Sequence, residues 1–270
     1  MLLENKNAVI YGAGGSFGGV IARAFAKAGA HVFVTGHKIG AVKKLADEIT
    51  KDGGVAEAAE VNALNESSVN DYVTAVVNKT GSIDISFSAI SLRDVQGIPL
   101  MNMAAEDFVR PVEIAMRSQL ITAAAAAKQM VKQQSGVILS LTATPGGIGY
   151  ANVGGFGPAC CAIESFSRNL ASELGPYGVR VVNIRSGGSP DSKVFKDAID
   201  QGGEKVAAFI KKMEDDTMLK KMPLMKDIAN TAVFLVSDMA NKITGITVDV
   251  TCGTTAALNY KVTPVAFIQK

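Results

Sequence analysis

Short apolar runs alternate along this chain with longer stretches in which apolar residues return every three or four positions. The short runs are Ala8–Tyr11, His31–Thr35, Val55–Ala59, Ile83–Ala89, Val137–Leu141, Val179–Ile184 and Thr247–Val250, all of strand length. The longer ones predict helices over Phe17–Ala28, Ala41–Lys51, Ser67–Asn78, a long stretch around Pro111–Gln133, Pro158–Leu174 and Lys226–Ser237. Strands that are apolar throughout are buried on both faces, which calls for a parallel sheet covered by helices on either side. Right-handed crossovers then give an α/β fold with a doubly wound parallel sheet of about seven strands. Gly187–Met222, rich in Gly, Ser, Asp and Lys, fits no strand and predicts one or two helices outside the sheet. Ligands of such sheets bind at the carboxyl ends of the strands, so the segment 187–222 is expected to form a lid.

Composition narrows the classes. With 270 residues, 48% of them hydrophobic and 19% charged, the chain suits a single domain over 1–270 with one large core. A formal net charge of +2, with Lys and Arg scattered, gives no basic stripe for nucleic acid. No charged-then-apolar leader opens the chain and no uninterrupted apolar run reaches about 18 residues, so a cytoplasmic protein without membrane attachment is expected. Three cysteines form no even disulfide framework, and His31 and His37 are the only histidines. No metal site is expected from that set, and Ser-His or zinc hydrolysis has little to work with.

The first strand-to-helix turn reads Tyr11-Gly12-Ala13-Gly14-Gly15-Ser16-Phe17-Gly18-Gly19. Glycines at that place let backbone N–H groups and a helix N-terminus approach a pyrophosphate, which points to a bound dinucleotide. The second strand ends Val34-Thr35-Gly36-His37-Lys38, with no acidic residue to accept hydrogen bonds from the ribose of NAD. The basic pair His37 and Lys38 favours a 2′-phosphate, hence NADP(H) over NAD(H).

These features resemble the short-chain dehydrogenase/reductase family over about Lys6 to Gly253. The glycine-rich turn is similar to the family's, with Ser16 in place of its second glycine. The distal run Pro223-Leu224, Ile228-Ala229, Ala232-Val233-Phe234-Leu235, Ser237-Asp238 and Ile243-Thr244-Gly245-Ile246-Thr247 resembles the family's last helix and strand, and Ser165–Val182 resembles the helix and strand after its catalytic motif. The resemblance implies a Rossmann-type fold, a homotetramer or homodimer built on the Pro111–Gln133 and Pro158–Leu174 helices, and a small-molecule substrate. It also implies cofactor contacts from Gly12, Gly14, Ser16, Phe17, Gly18, His37, Lys38, Asn62, Ala63, Ser88, Ile90, Gly187 and Ser189.

At the positions where the family keeps its chemistry, the chain departs from it. The family's catalytic Asn, Ser, Tyr and Lys fall on Ala115, Ala143, Phe156 and Cys160. Phe156 and Cys160 stand four apart on one helical face, yet a phenyl ring donates no proton and a neutral thiol does not replace a fixed positive charge. Tyr150 is the only phenol nearby and is the candidate substitute donor; a pocket-wall role is the alternative. Cys160 is either a nucleophile or a small apolar filler. Arg185, at the end of the sixth strand, is either a ligand anchor or part of an internal salt bridge. Arg117 is a surface or interface residue unless it faces the pocket, and Met101, Met103 and Met116 are core fillers unless they line an apolar cleft.

Two functional classes remain open. One is an atypical NAD(P)(H)-dependent oxidoreductase acting on a small or medium apolar carbonyl, enone or imine. The other is a catalytically silent, nucleotide-binding protein with a structural or regulatory role.

Overall fold

A computed structural model describes residues 1–256 of the protein. Residues 257–270 of the single domain expected over 1–270 lie outside the described residues. The strands are β1 (Asn7–Tyr11), β2 (His31–Gly36), β3 (Val55–Glu60), β4 (Ile85–Ser88), β5 (Gly136–Ala143), β6 (Val179–Ser186) and β7 (Thr247–Val250). They form one sheet in the order β3-β2-β1-β4-β5-β6-β7, and every neighbouring pair runs parallel. The order reverses between β1 and β4, which opens a crevice at their carboxyl ends.

Helices cover both faces, as the strand composition demands. Ala8 and Ile10 of β1 point into one apolar cluster with Ile21 and Phe25 of α1 (Ser16–Lys27), Leu45 of α2 (Ile39–Lys51) and, from the helix Met225–Val236, Ile228 and Leu235. Val9 and Tyr11 point the other way, against Val69 and Val73 of α3 (Glu66–Thr80) and Ala126 and Met130 of α4 (Ala105–Gln133). The period of two along one strand thus builds two cores. The small side chains Ala123, Ala125, Ala126 and Ala127 are all buried within the monomer, as are Ala159 and Ala171 of α5 (Phe156–Leu174).

Most element boundaries lie within two residues of the sequence expectation, and α4 departs further. β4 is confined to Ile85–Ser88, inside the predicted Ile83–Ala89. α4 starts at Ala105, with Pro111 inside it. A proline there removes one backbone bond near the helix start, and its ring is buried against Gly155, whose ideal Cβ would come within 2.7 Å of Pro111 Cγ. The segment after β6 forms α6 (Lys193–Asp216), broken at Gly203, where φ 54° and ψ −140° suit only a residue without a Cβ. The last helix, Met225–Val236, is α7. Among the described residues, no helix is long and apolar enough to cross a membrane.

Candidate functional site

The carboxyl end of β1 is shaped by backbone contact. Gly12 has φ +75°, and a Cβ there would meet the carbonyl oxygen of Ala89 at 2.4 Å; a Cβ on Gly18 would meet the Gly12 carbonyl oxygen at the same distance. The turn is therefore pressed against the end of β4, and any larger residue would displace one or the other. Ser16 opens α1, and its Oγ accepts a hydrogen bond from the backbone N–H of Lys193 at 3.2 Å, tying the first residue of α6 to the turn.

Beside this turn lies a cavity of about 840 Å³. Its first end is lined by Ser16, Phe17, Gly18, Ser88, Ile90, Gly187 and Ser189, seven of the expected cofactor contacts. Its second end is lined by Ala143, Tyr150, Phe156 and Cys160, closed over by Phe195, Phe209 and Met213 of α6. Phe156 and Cys160 share the first turn of α5 and face the cavity together, as their spacing implies. Gly12, Gly14, His37, Lys38, Asn62 and Ala63 do not line it. His37 and Lys38 are exposed after β2, Asn62 accepts through Oδ1 from the Leu64 N–H at 3.0 Å, and Ala63 is packed in the core. Ala115 is fully buried beside Ala159 and Ile163, behind the cavity wall.

Two buried hydroxyls point to a missing partner. Ser88 Oγ and Ser189 Oγ have no hydrogen-bond partner among the described residues, and both residues line the cavity. A buried hydroxyl left unpaired is costly and rare, so a polar ligand is the natural occupant at this end. The glycine turn, the helix N-terminus beside it and these hydroxyls fit a pyridine dinucleotide: neutral donors for phosphate and amide oxygens, with no space taken by side chains.

Behind the floor, every charge is matched. Arg185, 13% exposed, binds Glu164 through Nη2 at 2.5 Å and Nε at 3.0 Å, and Asp249 through Nη1 at 2.8 Å. Burial alone would lower its pKa, but its contacts with the two carboxylates outweigh that and raise it. Thr142 donates to Glu164 at 2.9 Å, and Asn183 donates to Thr142 at 2.7 Å. The open alternative for Arg185 is thereby resolved as an internal salt bridge. Arg117 pairs with Glu113 on the exposed face of α4.

The reaction end is uncharged at its centre. Cys160 is 1% exposed, and its thiol is pushed up to about 12 chiefly by burial, with Glu164, Cys161 and Asp94 adding to the effect and a backbone hydrogen bond with Ala143 opposing it. A thiol in that state is protonated at neutral pH and is no nucleophile, so the filler reading holds. Met101, Met103 and Met116 do not line the cavity; Met101 is 91% exposed and Met103 packs beside Gly154. Among the described residues, no group of three or more His, Cys, Asp or Glu could hold a metal.

Among the polar lining residues that sequence alone did not assign to the site are Ser118, Gln119, Asp94 and Gln96. Gln119 is one helical turn beyond Ala115, so same-face spacing was an available signal. Asp94 and Gln96 belong to the loop after β4, whose path no local pattern specifies. Glu60 was missed as well: β3 pairs Gly36 with Glu60, and the Glu60 carboxylate accepts from the Ile39 N–H at 3.1 Å beside His37 and Lys38.

Known proteins are similar to this chain in sequence and in fold. A family profile described as Enoyl-(Acyl carrier protein) reductase matches residues 12–255. The 7alpha-hydroxysteroid dehydrogenase of Escherichia coli (strain K12) is 29% identical over 257 residues, covering 95% of this chain and 97% of its own. The L-rhamnose 1-dehydrogenase (NAD(P)(+)) of Azotobacter vinelandii is 29% identical over 257 residues, covering 91% and 94%. Among solved structures, Levodione Reductase superposes with a TM-score of 0.86 at 23% identity, covering 94% of this chain and 99% of the other. NAD+-bound Xylitol Dehydrogenase gives 0.85 at 22%, covering 93% and 99%. The chain belongs to the short-chain dehydrogenase/reductase family of oxidoreductases.

Proposed function

We propose that the protein is an NAD(P)(H)-dependent oxidoreductase, with NADP(H) preferred, that transfers a hydride to or from a small or medium apolar carbonyl, enone or imine without the family's usual proton relay. The observation that carries this reading is one continuous cavity with two unlike ends: unpaired hydroxyls and a glycine turn at the first, apolar and aromatic walls at the second. A bound nicotinamide nucleotide supplies or accepts the hydride. Ser88 and Ser189 hold its polar groups, and the Gly12–Gly18 turn faces its pyrophosphate. His37 and Lys38 draw the 2′-phosphate of NADP, with Glu60 partly offsetting them. The α6 lid excludes water from the second end.

With Ala115, Ala143, Phe156 and Cys160 standing where the family's catalytic groups are expected, the protein shields and positions its substrate but moves no proton from those positions. A neutral acceptor then takes its proton from Tyr150 or from water. Loss of a positioned acid typically costs about 10²- to 10⁴-fold in rate, while proximity within the cavity is retained. Copies of the chain associate through α4 and α5; on α4, Val109 and Leu120 are exposed.

Calorimetric titration with NADPH and NADH, followed by turnover on a panel of ketones, enones and imines, tests the reading. Micromolar NADPH binding with weaker NADH binding is expected; no binding of either below millimolar overturns it. Tyr150→Phe is expected to slow ketone reduction, and an unchanged rate removes Tyr150 as donor. A second reading, a silent nucleotide-binding subunit, is favoured by the neutral Cys160. Nucleotide binding with no turnover on any panel member would select it.

A further inference from the structure

Among its described lining residues the cavity carries a single fixed charge, and it is negative. Among its described lining residues there is no Lys, Arg or His, and Asp94 is the only Asp or Glu. The other polar groups on its walls are hydroxyls and amides, such as Ser118, Gln119 and Asn152. Asp94 is half-buried, and the only hydrogen bond to its side chain among the described residues comes from Gln96 Nε2, at 2.7 Å to Oδ2. That amide leaves the carboxylate's charge uncancelled, in contrast to Glu164, which a guanidinium neutralises.

The loop that carries Asp94 is anchored at the reaction end. Gly97 N–H donates to the Asn152 carbonyl at 2.7 Å, and the Val95 carbonyl lies against Gly154, just ahead of Phe156. The charge of Asp94 is felt at Cys160, where it adds to the upward push on the thiol. The same cavity is lined by the aromatic rings of Tyr150, Phe156, Phe195 and Phe209. Aromatic faces with one carboxylate form a surface that attracts an organic cation and repels an anion.

We propose that Asp94 is the counter-ion for a cationic nitrogen in the substrate, and that the substrate class is a preformed iminium ion. This rests on the oxidoreductase reading above and narrows it. The chemistry suits a site without a proton relay. When an iminium carbon accepts a hydride from reduced nicotinamide nucleotide, a C–H bond forms and the C=N π pair becomes the nitrogen lone pair. The donor is oxidised, the iminium is reduced to a neutral amine, and no proton is required for the step. A ketone would instead leave an alkoxide beside Asp94, which the carboxylate disfavours.

The test uses the full chain and two non-reacting probes of similar shape: N-benzylpyrrolidine, a cation at neutral pH, and the neutral amide N-benzoylpyrrolidine. The wild type is expected to bind the cation about tenfold more tightly than the amide, the size of a charge-assisted contact in a partly buried setting. Asp94→Asn is expected to erase that preference and Asp94→Glu to restore part of it. NADPH titration of the same samples reports folding and keeps the two claims apart: failure of the wild type to bind nucleotide overturns the cofactor reading, while the probe preference still reads Asp94. Equal binding of the two probes by the wild type, no binding of the cation, or a preference that survives Asp94→Asn overturns the assignment.

Discussion

Around Gly12 and Gly18 the chain has no room for one added methyl group, because backbone oxygens stand 2.4 Å from either ideal Cβ. Around Phe156 and Cys160 the same cavity is walled largely by neutral side chains, with Asp94 the one acidic residue among those described. The first end is constrained by backbone geometry, which dictates residue identity whatever the chemistry. The second end is where proton chemistry would dictate residue identity, and there Ala143, Phe156 and Cys160 supply no charged group. The fold's nucleotide end is therefore separable from its reaction end, and substitutions should fail differently at the two.

The sharpest break is expected at the first end. Gly12→Ala forces a side chain into φ +75° and into the Ala89 carbonyl. We expect a loss of about 3 kcal/mol in chemical denaturation and nucleotide affinity weakened about a hundredfold by titration. An unchanged affinity would mean that the turn does not receive the nucleotide. Next in size is Glu164→Leu beneath the second end, which leaves Arg185 with Asp249 alone. Removing one partner of a buried pair costs about 3 kcal/mol at most when another carboxylate remains, so a stability loss with nucleotide affinity intact is expected.

A smaller effect should appear where the nucleotide's far end is expected. Lys38→Glu should weaken NADPH binding about tenfold and leave NADH binding the same or tighter, and equal loss of both would contradict the assignment of Lys38 to the 2′-phosphate. The smallest effect belongs to Cys160→Ala, at about 1 kcal/mol of lost packing at neutral pH. Its signature is in alkali. The thiol's ordinary value of 9 rises to about 12 in the folded protein, so the unfolded chain releases its proton first. The stability this group contributes is complete below about pH 9 and is lost as pH climbs towards 12. Cys160→Ala should flatten that part of the denaturation profile. Exposed Cys161 should be alkylated in the native protein while Cys160 is spared.

The fold was legible because the information is local. Apolar runs located all seven strands, and Phe156 and Cys160 were placed on one face by spacing alone. α4 escaped at its start because the apolar pattern begins at Pro111, which lies in the second turn of a helix that starts at Ala105. What the sequence hid depends on residues distant along the chain. Glu60 meets the end of β2 through strand register, and Asp94 reaches the cavity because its loop is bonded to Asn152. Arg185 was ambiguous until Glu164 and Asp249, remote in sequence, were seen to enclose it. Charges are easily read in a sequence, but their partners are not.

The most direct measurement is a crystal structure of the protein soaked with NADPH, read at what surrounds nicotinamide C4. We expect the pyrophosphate at the Gly12–Gly18 turn, polar atoms of the nucleotide within hydrogen-bond distance of the Ser88 and Ser189 hydroxyls, and Phe156 and Cys160 beside C4 with no proton-relay side chain in reach. A lysine or an ionised tyrosine brought into hydrogen-bond reach of the reacting centre, or a nucleotide bound away from this cavity, would contradict it.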